Sequence, residues 1–373
     1  MECLVRFALN LGRQANGTAP GIRDRSHDLR RASRRGRRAW LLSGCPRRGT
    51  EVAHVKPASF TYHAPTAAAE ASALLAELGP AAAALAGGQS LVPELAARRA
   101  RFAHLVDLNR VAELAGITLD GDELRVGSMT RQRDAERSTE VREAAPLLAL
   151  ALPWLGPPQV RNRGTVGGAL AQADPAGDLP AVAVALGALL ELGGPAGTVP
   201  AGARFTGARP APGPLLTAAR FPRWPAGSGF GFERVAPRAA GRALAGAAVA
   251  LAPGAACRIV LYGVTPAPAR PRAAEELALA GAPAEEVARA ALRDLGLLPG
   301  PPDEPAVERS GPRRPAPGGA GDGGREEVPH GGADGPDGSR LPRGARASAA
   351  VRGRLAAHVL ERALRSARES AGA

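Results

Sequence analysis

The sequence predicts a mixed fold, α+β or α/β, because strand patterns alternate with helical patterns along most of the chain. With 373 residues, 45% of them apolar and 22% charged, the chain can bury the cores of about two domains. These proportions exclude collagen, a wholly disordered chain and a disulfide scaffold. Aromatic residues make up only 3% of the chain, which disfavours a protein that stacks nucleic-acid bases on aromatic side chains. No apolar run reaches the roughly 18 residues of a membrane span.

The first predicted elements begin beyond an arginine-rich start. Phe60 and Tyr62 alternate with small polar residues, as in a short strand. Thr66 is placed to cap the helix that follows, and Gly79 and Pro80 end it. After that strand, the predicted elements are a helix over 67–78, a strand over 82–85, a short helix from 92 towards 99 and a strand over 105–108.

The same alternation continues to about residue 225, and a smaller α+β region follows. The predicted elements are a strand at 124–126, a helix over 144–155 interrupted at Pro153, a helix over 179–190, strands at 244–251 and 258–262, and helices at 273–279 and 283–294. Residues 300–345 are rich in Pro, Gly and acidic residues without an apolar period, so they are predicted to be loop or disorder. Helical spacing returns over 347–367, and this helix is predicted to pack on the C-terminal region.

The net charge of +13 is concentrated in residues 1–55, which hold twelve Arg and four acidic residues. Three interpretations of this basic arm stay open: a segment that binds nucleic acid or anionic lipid, a disordered tail, or upstream sequence translated from a wrongly chosen start. A secretory signal is disfavoured, because the Arg cluster follows the short apolar stretch instead of preceding it.

No metal site is predicted. The three cysteines form no CxxC pair and the six histidines show no metal-ligand spacing, so ligands for an iron–sulfur cluster or a structural zinc are not evident. Cys257 lies in an apolar run and is predicted to be a small buried residue. This cysteine usage is typical of a reducing cytoplasm, which is the predicted location.

Two glycine pairs are the candidate binding elements. The first glycine loop (residues 86–90) directly follows a predicted strand, and the second glycine loop (residues 165–169) precedes a predicted helix. Glycine lets backbone N–H groups approach an anion closely and adopts positive φ. Consecutive exposed N–H groups form a concave nest for phosphate oxygens. Two such loops together would hold a dinucleotide, although each pair alone is as typical of an ordinary turn.

The surroundings of these loops carry a family resemblance. Residues 85–93 are LAGGQSLVP, and residues 159–168 (QVRNRGTVGG) lead into 171–180 (AQADPAGDLP). Together they resemble the FAD-binding medium subunits of the molybdenum hydroxylases, which include xanthine and aerobic carbon monoxide dehydrogenases. Further matching stretches are 56–60, 105–108, 127–130, 263–266 and 352–365. Two long motifs in matching order and spacing identify the chain as a member of this family.

The resemblance implies an α+β fold. A PCMH-type FAD-binding domain over 56–225, with subdomains of about 56–108 and 109–225, precedes a smaller C-terminal α+β domain. The C-terminal domain is made of residues 226–299 and 346–370, with 300–345 as a disordered insertion. Family members begin near Lys56, and Val55 stands where their initiator Met would be. We therefore favour the hypothesis that residues 1–54 are absent from the natural protein.

The resemblance also implies the site residues. By position, the two glycine loops bind the diphosphate and ribityl parts of FAD, and Asp178 bonds sugar-side hydroxyls or caps a helix. Leu91 and Val92 pack near the flavin or in the core. Arg161 and Arg163 are interpreted as exposed loop arginines, with phosphate neutralisation as the alternative. The predicted cofactor-binding residues are Ala86, Gly87, Gly88, Gln89, Ser90, Leu91, Val92, Thr165, Val166, Gly167, Gly168, Ala169 and Asp178. No catalytic acid, base, nucleophile or metal ligand is predicted.

The implied function is electron transfer. In the family, a large subunit with the molybdenum cofactor oxidises the substrate, a small subunit relays electrons through [2Fe–2S] clusters, and FAD passes them to an external acceptor. The chain is thus expected to be a partner-dependent oxidoreductase subunit, in a dimer of heterotrimers. The alternatives are a nucleic-acid-binding protein that uses the basic arm, a self-sufficient FAD oxidase, and an inactive scaffold paralogue. The scaffold alternative arises because residues 207–214 and 238–245 depart from the family pattern.

Overall fold

The computed structural model describes residues 56–194, 197–205, 214–238, 241–298 and 349–372. The basic arm, the 300–345 insertion and nearly all of the 207–214 segment lie outside these residues. The predicted domain boundaries remain predictions.

The described chain combines three separate sheets with helices, which confirms the predicted α+β class. The strands are β1 (Thr61–His63), β2 (Ala82–Leu85), β3 (His104–Asp107), β4 (Ile117–Asp120), β5 (Glu123–Gly127), β6 (Leu189–Leu192), β7 (Thr198–Pro200), β8 (Leu216–Pro222), β9 (Gly229–Val235), β10 (Ala245–Ala252) and β11 (Ala256–Tyr262). The α-helices are α1 (Ala68–Leu78), α2 (Leu91–Ala96), α3 (Gln132–Arg137), α4 (Thr139–Ala144), α5 (Pro146–Ala151), α6 (Pro158–Arg161), α7 (Val166–Gln172), α8 (Asp178–Leu186), α9 (Ala201–Arg204), α10 (Arg272–Leu279), α11 (Ala284–Asp294) and α12 (Ala349–Ala371).

The first sheet is parallel, with β1 and β2 on either side of β3. Helix α1 connects β1 to β2 and buries Ala71 in a small core. Thr66 does not cap this helix, so that prediction is wrong. Ala67 precedes the helix without a side-chain cap, and the backbone amide of Thr66 donates to the Glu70 carboxylate at 3.0 Å. The core of this sheet consists of Ala71, Val106, Leu108, Val111, Leu114, Met129 and Leu215.

The second sheet is antiparallel and has the strand order β4-β5-β8-β6-β7. Helix α8 belongs to its core, and all nine residues of the helix are buried. The helix predicted over 179–190 is too long, because Gly187 adopts a φ of +74° and ends it. The helix predicted over 144–155 is likewise divided, since Pro146 starts the new helix α5.

The third sheet has β10 between β11 and β9, and this central strand is buried on both faces. Successive side chains of a strand point to opposite faces, so β10 supplies two cores. The face towards α5 and α8 includes Ala248 and Ala250, and the face towards α10, α11 and α12 includes Ala245, Ala247, Val249 and Leu251. Small residues are needed here, since a Cβ on Gly246 would lie 2.1 Å from the Tyr262 ring.

Helix α12 packs directly on the backbone of β9. The sequence predicted this packing of the last helix on the C-terminal region. A Cβ on Gly231 would lie 1.8 Å from the carbonyl oxygen of Ala363, and one on Gly229 equally close to that of Ala367. Strand β9 itself was not predicted, because its glycines interrupt the apolar alternation that marks a strand. Cys257 is buried in the same core as predicted, and burial raises the pKa of its thiol to about 12.

Residues 92–101 and residues 56–58 together form a small unit of their own. Arg99 and Glu94 form an exposed ion pair at 2.8 Å. The helix predicted from 92 towards 99 ends at Ala96, and the positive φ of Arg98 (+54°) is incompatible with a longer helix.

Membrane-spanning helices and metal sites are both absent from the described residues. No helix among them is both long and apolar enough to cross a bilayer. No three His, Cys, Asp or Glu side chains gather there in a way that would hold a metal ion.

The close contact between α12 and β9 predicts that a larger residue at Gly231 lowers the stability of the fold. Gly231→Ala places a methyl group against the carbonyl of Ala363, so the helix must move away from the sheet. We expect the free energy of unfolding to fall by about 1–3 kcal/mol, the usual cost of overpacking, in a denaturant titration. Gly202→Ala is the matched control, because a Cβ there meets nothing within 4 Å. Equal stability of the two variants would contradict the close contact.

Candidate functional site

The first glycine loop contacts the second glycine loop and the two residues before it, Arg163 and Gly164. A Cβ on Gly87 would lie 2.3 Å from the carbonyl oxygen of Arg163 and 2.7 Å from the Cα of Gly164. A Cβ on Gly168 would lie 3.4 Å from the Cβ of Ala86. Since only a residue without a side chain fits against that carbonyl, Gly87 is required for the approach of the loops.

The first glycine loop presents unbonded backbone donors. No described group accepts a hydrogen bond from the amides of Gly87 or Gly88, and Gly88 has a φ of +74°. The side-chain amide of Gln89 donates to the carbonyl of Gly87 at 3.2 Å, while Gln89 and Ser90 are exposed. Free amides beside a positive-φ glycine match the predicted anion nest.

The second glycine loop differs from that expectation, because its amides are already bonded within the chain. The bonds run from Val166 N to Thr130 O (3.0 Å), from Gly167 N to Ser128 O (2.9 Å), from Gly168 N to Thr165 Oγ1 (2.9 Å) and from Ala169 N to Thr165 O (3.2 Å). Thr165 is the N-cap of α7, so its hydroxyl serves the helix. These amides are therefore not available to bind an anion, so the predicted nest is absent here. The second loop instead forms a rigid wall of the site.

The residues that follow the first loop are Leu91 and Val92. Leu91 is partly buried at the start of α2, while the side chain of Val92 is 50% exposed. Core packing therefore does not explain Val92. The contact of both residues with the flavin stays a prediction.

Two side chains that the sequence analysis missed lie against the loops. Asn109 donates from Nδ2 to the carbonyl of Ala86 at 3.0 Å, and Arg131 donates from Nη1 to the carbonyl of Arg163 at 2.7 Å. Neither residue belongs to a motif or to a periodic pattern, so no local signal in the sequence marks them.

Comparison with known proteins shows the family of this chain. A family model described as the FAD binding domain in molybdopterin dehydrogenase matches residues 58–224. The carbon monoxide dehydrogenase medium chain of Hydrogenophaga pseudoflava is 40% identical over 200 residues, which cover 52% of this chain and 70% of that one. The carbon monoxide dehydrogenase medium chain of Afipia carboxidovorans is 40% identical over 228 residues, which cover 59% and 78%. This chain belongs to the FAD-binding medium subunits of the molybdenum hydroxylases.

The fold of the medium subunit agrees with solved structures. A carbon monoxide dehydrogenase from Hydrogenophaga pseudoflava, which lacks the Mo-pyranopterin moiety of the molybdenum cofactor, matches with a TM-score of 0.68 at 33% identity. The match covers 84% of this chain and 99% of that chain. The predicted family, its α+β fold and its place among oxidoreductase subunits are thus confirmed.

The residues of the first glycine loop fit FAD, the cofactor of this family. Gly87 and Gly88 offer two unbonded amides, and the positive φ of Gly88 is typical of an anion nest. The assignment of the thirteen predicted residues to cofactor contacts stays a prediction.

Asp178 lies in the first turn of α8, and its side chain is 7% exposed. It is not the N-cap of the helix, because Gly177 occupies that position. Its Oδ2 accepts from Nη1 of Arg234 at 2.7 Å, and its Oδ1 accepts from the hydroxyl of Tyr262 at 2.7 Å. Asp178 thus joins α8 to β9 and β11, while its contact with the cofactor's sugar hydroxyls stays a prediction.

Arg161 is not the exposed loop arginine that the sequence predicted. It is 6% exposed, and its guanidinium pairs with Glu136 at 2.8 Å. The hydrogen bond from Arg161, against the opposing effect of burial, holds the pKa of Glu136 below its usual range. Arg161 therefore acts in the packing of α6 on α3, whereas Arg163 is exposed as expected.

The burial of Asp178 makes a prediction about pH. Burial raises the pKa of its carboxyl from 3.8 to about 6, although the Arg234 charge and the Tyr262 hydrogen bond act in the opposite direction. Between those two values the folded chain holds a proton that the unfolded chain has lost. The free energy of unfolding contributed by Asp178 therefore increases as the pH falls from about 6 towards 4.

The measurement compares the chain with its Asp178→Asn variant in denaturant titrations from pH 7 to pH 4. Because Asn does not titrate, the stability of the wild-type chain relative to the variant isolates this one group. We expect this difference to shift in favour of the wild type as the pH falls. A difference that is constant, or that shifts the other way, would contradict the raised pKa.

Proposed function

We propose that this medium subunit transfers electrons within a molybdenum hydroxylase complex. It receives them from the iron–sulfur clusters of a partner subunit and passes them, through FAD, to an external acceptor. The observation that carries the proposal is the meeting of the two glycine loops at Gly87, beside unbonded amides, in a chain of this family.

The roles of the chain's own residues are binding and orientation. When bound, FAD supplies the redox chemistry. The amides of Gly87 and Gly88 would hold its diphosphate, and the backbone of Arg163 and Gly164 would close the site from the other side. Electron transfer through a flavin requires no acid, base or nucleophile from the loops, and none is assigned.

The proposed partners are a large subunit with the molybdenum cofactor and a small subunit with [2Fe–2S] clusters, in a dimer of heterotrimers. This part of the proposal is supported by the relatives, which are named as medium chains of carbon monoxide dehydrogenases. A medium chain implies companions of other sizes. The cytoplasmic location stays a prediction from cysteine usage.

The function predicts the effect of a charge in the first loop. Gly88→Asp adds a side chain where φ is +74° and a negative charge where the diphosphate would lie. We expect the purified variant to lose at least nine-tenths of its FAD, measured by flavin absorbance after release from the protein, because two like charges repel at close range.

Gly254→Asp is the matched control. Gly254 has a φ of +71° and open space around its Cα, so it introduces the same charge and the same backbone strain in the turn between β10 and β11. FAD content equal to that of the wild type is expected there. If Gly88→Asp kept its flavin, the first loop would not be the diphosphate site; if the wild-type chain stayed colourless with FAD and partners, the scaffold interpretation would replace the proposal.

The partner assignment makes a separate prediction. Affinity purification of the tagged medium subunit from its native cells should recover a molybdenum-containing large subunit and a Cys-rich small subunit in equal amounts, identified by mass spectrometry and metal analysis. Removal of residues 1–54 should leave this recovery unchanged. Recovery of nucleic acid in place of these subunits, lost on that truncation, would favour the nucleic-acid-binding alternative.

A further inference from the structure

We propose that Asn109 and Arg131 form a clasp that sets the distance between the two glycine loops and the direction of the free amide of Gly87. The Asn109–Arg131 clasp is defined by these two side chains and the two loop carbonyls that they hold. It deepens the proposed function and rests on it, since the clasp positions the diphosphate site without belonging to either loop.

The clasp is an unbroken path of hydrogen bonds from the first loop to Arg163, two positions before the second loop. Nη2 of Arg131 donates to Oδ1 of Asn109 at 2.7 Å, and Nη1 of the same guanidinium donates to the carbonyl of Arg163 at 2.7 Å. Asn109 in turn donates to the carbonyl of Ala86 at 3.0 Å. The guanidinium is planar with its donors in a fixed fork, so it holds both acceptors at one relative position.

The clasp also controls where a backbone donor points. In a trans peptide, the carbonyl of one residue and the N–H of the next point in opposite directions. Because Asn109 holds the carbonyl of Ala86, the amide of Gly87 is turned away from the clasp. That amide has no described acceptor, so it is the group that the clasp leaves available for a ligand.

The orientation of the Asn109 amide is determined by its neighbour Asp107. A carboxylate only accepts hydrogen bonds, and Asp107 accepts from both the backbone and the side-chain nitrogen of Asn109. The side-chain nitrogen therefore faces Asp107 and the carbonyl of Ala86, which leaves Oδ1 for Arg131.

Asp107 is itself held firmly at the end of β3. Its other carboxylate oxygen accepts from the hydroxyl of Tyr62 on β1. Burial raises the pKa of Asp107, but the hydrogen bonds from Tyr62 and Asn109 outweigh this effect, so the pKa lies below its ordinary value. The carboxylate therefore stays charged at neutral pH, and the first sheet anchors the clasp.

The two loops depend on the clasp to different degrees. The second loop is also held by an isolated antiparallel β-bridge, in which Arg131 pairs with Thr165 and the amide of Gln132 donates to the carbonyl of Gly164 at 2.9 Å. Among the described residues, the first loop has no strand pairing beyond the end of β2 at Leu85. Loss of the clasp should therefore loosen residues 86–90 and leave residues 164–169 in place.

The first test removes the hydrogen bonds at constant side-chain size, in Asn109→Leu, in Arg131→Met and in the double variant. We expect each single variant to raise the dissociation constant for FAD about tenfold, measured by flavin fluorescence. The double variant should add little to the larger single effect, because the two residues act as one unit. Arg110→Met is the matched control, since it removes the same charge next to Asn109, and its FAD affinity should equal that of the wild type.

The second test needs no FAD. Hydrogen exchange of the FAD-free chain should be faster in peptides covering residues 82–91 of both single variants and unchanged in peptides covering 164–170. Arg131→Lys keeps the charge but lacks the fork, so it should behave like Arg131→Met in both tests. Full rescue by Lys would overturn the clasp in favour of a simple charge effect.

The outcomes separate the clasp from the proposed function. If the wild type does not bind FAD, the proposed function fails, and hydrogen exchange alone still decides whether the clasp exists. If the wild type binds FAD and the single variants bind it equally well, or if the two effects are additive, the clasp is overturned. Weaker binding with unchanged exchange over 82–91 would also overturn it, because Arg131 would then contact the cofactor directly.

Discussion

The approach of Gly87 to the backbone of Arg163 and Gly164 is the contact on which the candidate site depends. Two segments separated by more than seventy positions come within van der Waals distance there, because Gly87 has no side chain to keep them apart. A single methyl group at Gly87 would fill the gap. The two segments therefore contact each other through backbone atoms. For this reason the candidate site offers backbone N–H donors and a close-fitting shape, and no titrating side chain of the loops takes part.

Backbone contacts of the same kind recur in the C-terminal part of the medium subunit. Gly229 and Gly231 let α12 lie on β9, and Gly246 makes room for the ring of Tyr262. Tyr262 and Arg234 then reach Asp178 on α8, so the third sheet is joined to the helix that follows the second glycine loop. In this Ala- and Gly-rich chain, the helices and strands thus lie close together at these glycines, where a large side chain would not fit.

The two glycine loops have unequal roles. The amides of residues 166–169 in the second loop are bonded within the chain, which makes that loop rigid, whereas the amides of Gly87 and Gly88 remain unbonded. A rigid wall opposite a loop with free donors is a form of preorganisation, because the protein has already lost the conformational entropy of one side before a ligand binds. In the proposed arrangement, cofactor binding therefore needs to order only the first loop.

The sequence by itself determined the class of fold, most helices and strands, and the family, because periodicity and contiguous motifs are local properties. It placed β2 and the first glycine loop correctly, yet it missed β4, β6, β7, β8 and β9 and extended α8 beyond Gly187. It also predicted a loop where α7 begins at Val166, and it predicted that Arg161 would be exposed. Tertiary structure alone decided that Arg161 is buried against Glu136, that the second loop's amides are occupied, and that Asn109 and Arg131 lie between the loops. The bonds from Arg131 to Asn109 and Arg163, and from Arg161 to Glu136, join residues 22 to 32 positions apart. Hydrogen bonds over such separations leave no period or motif in the sequence.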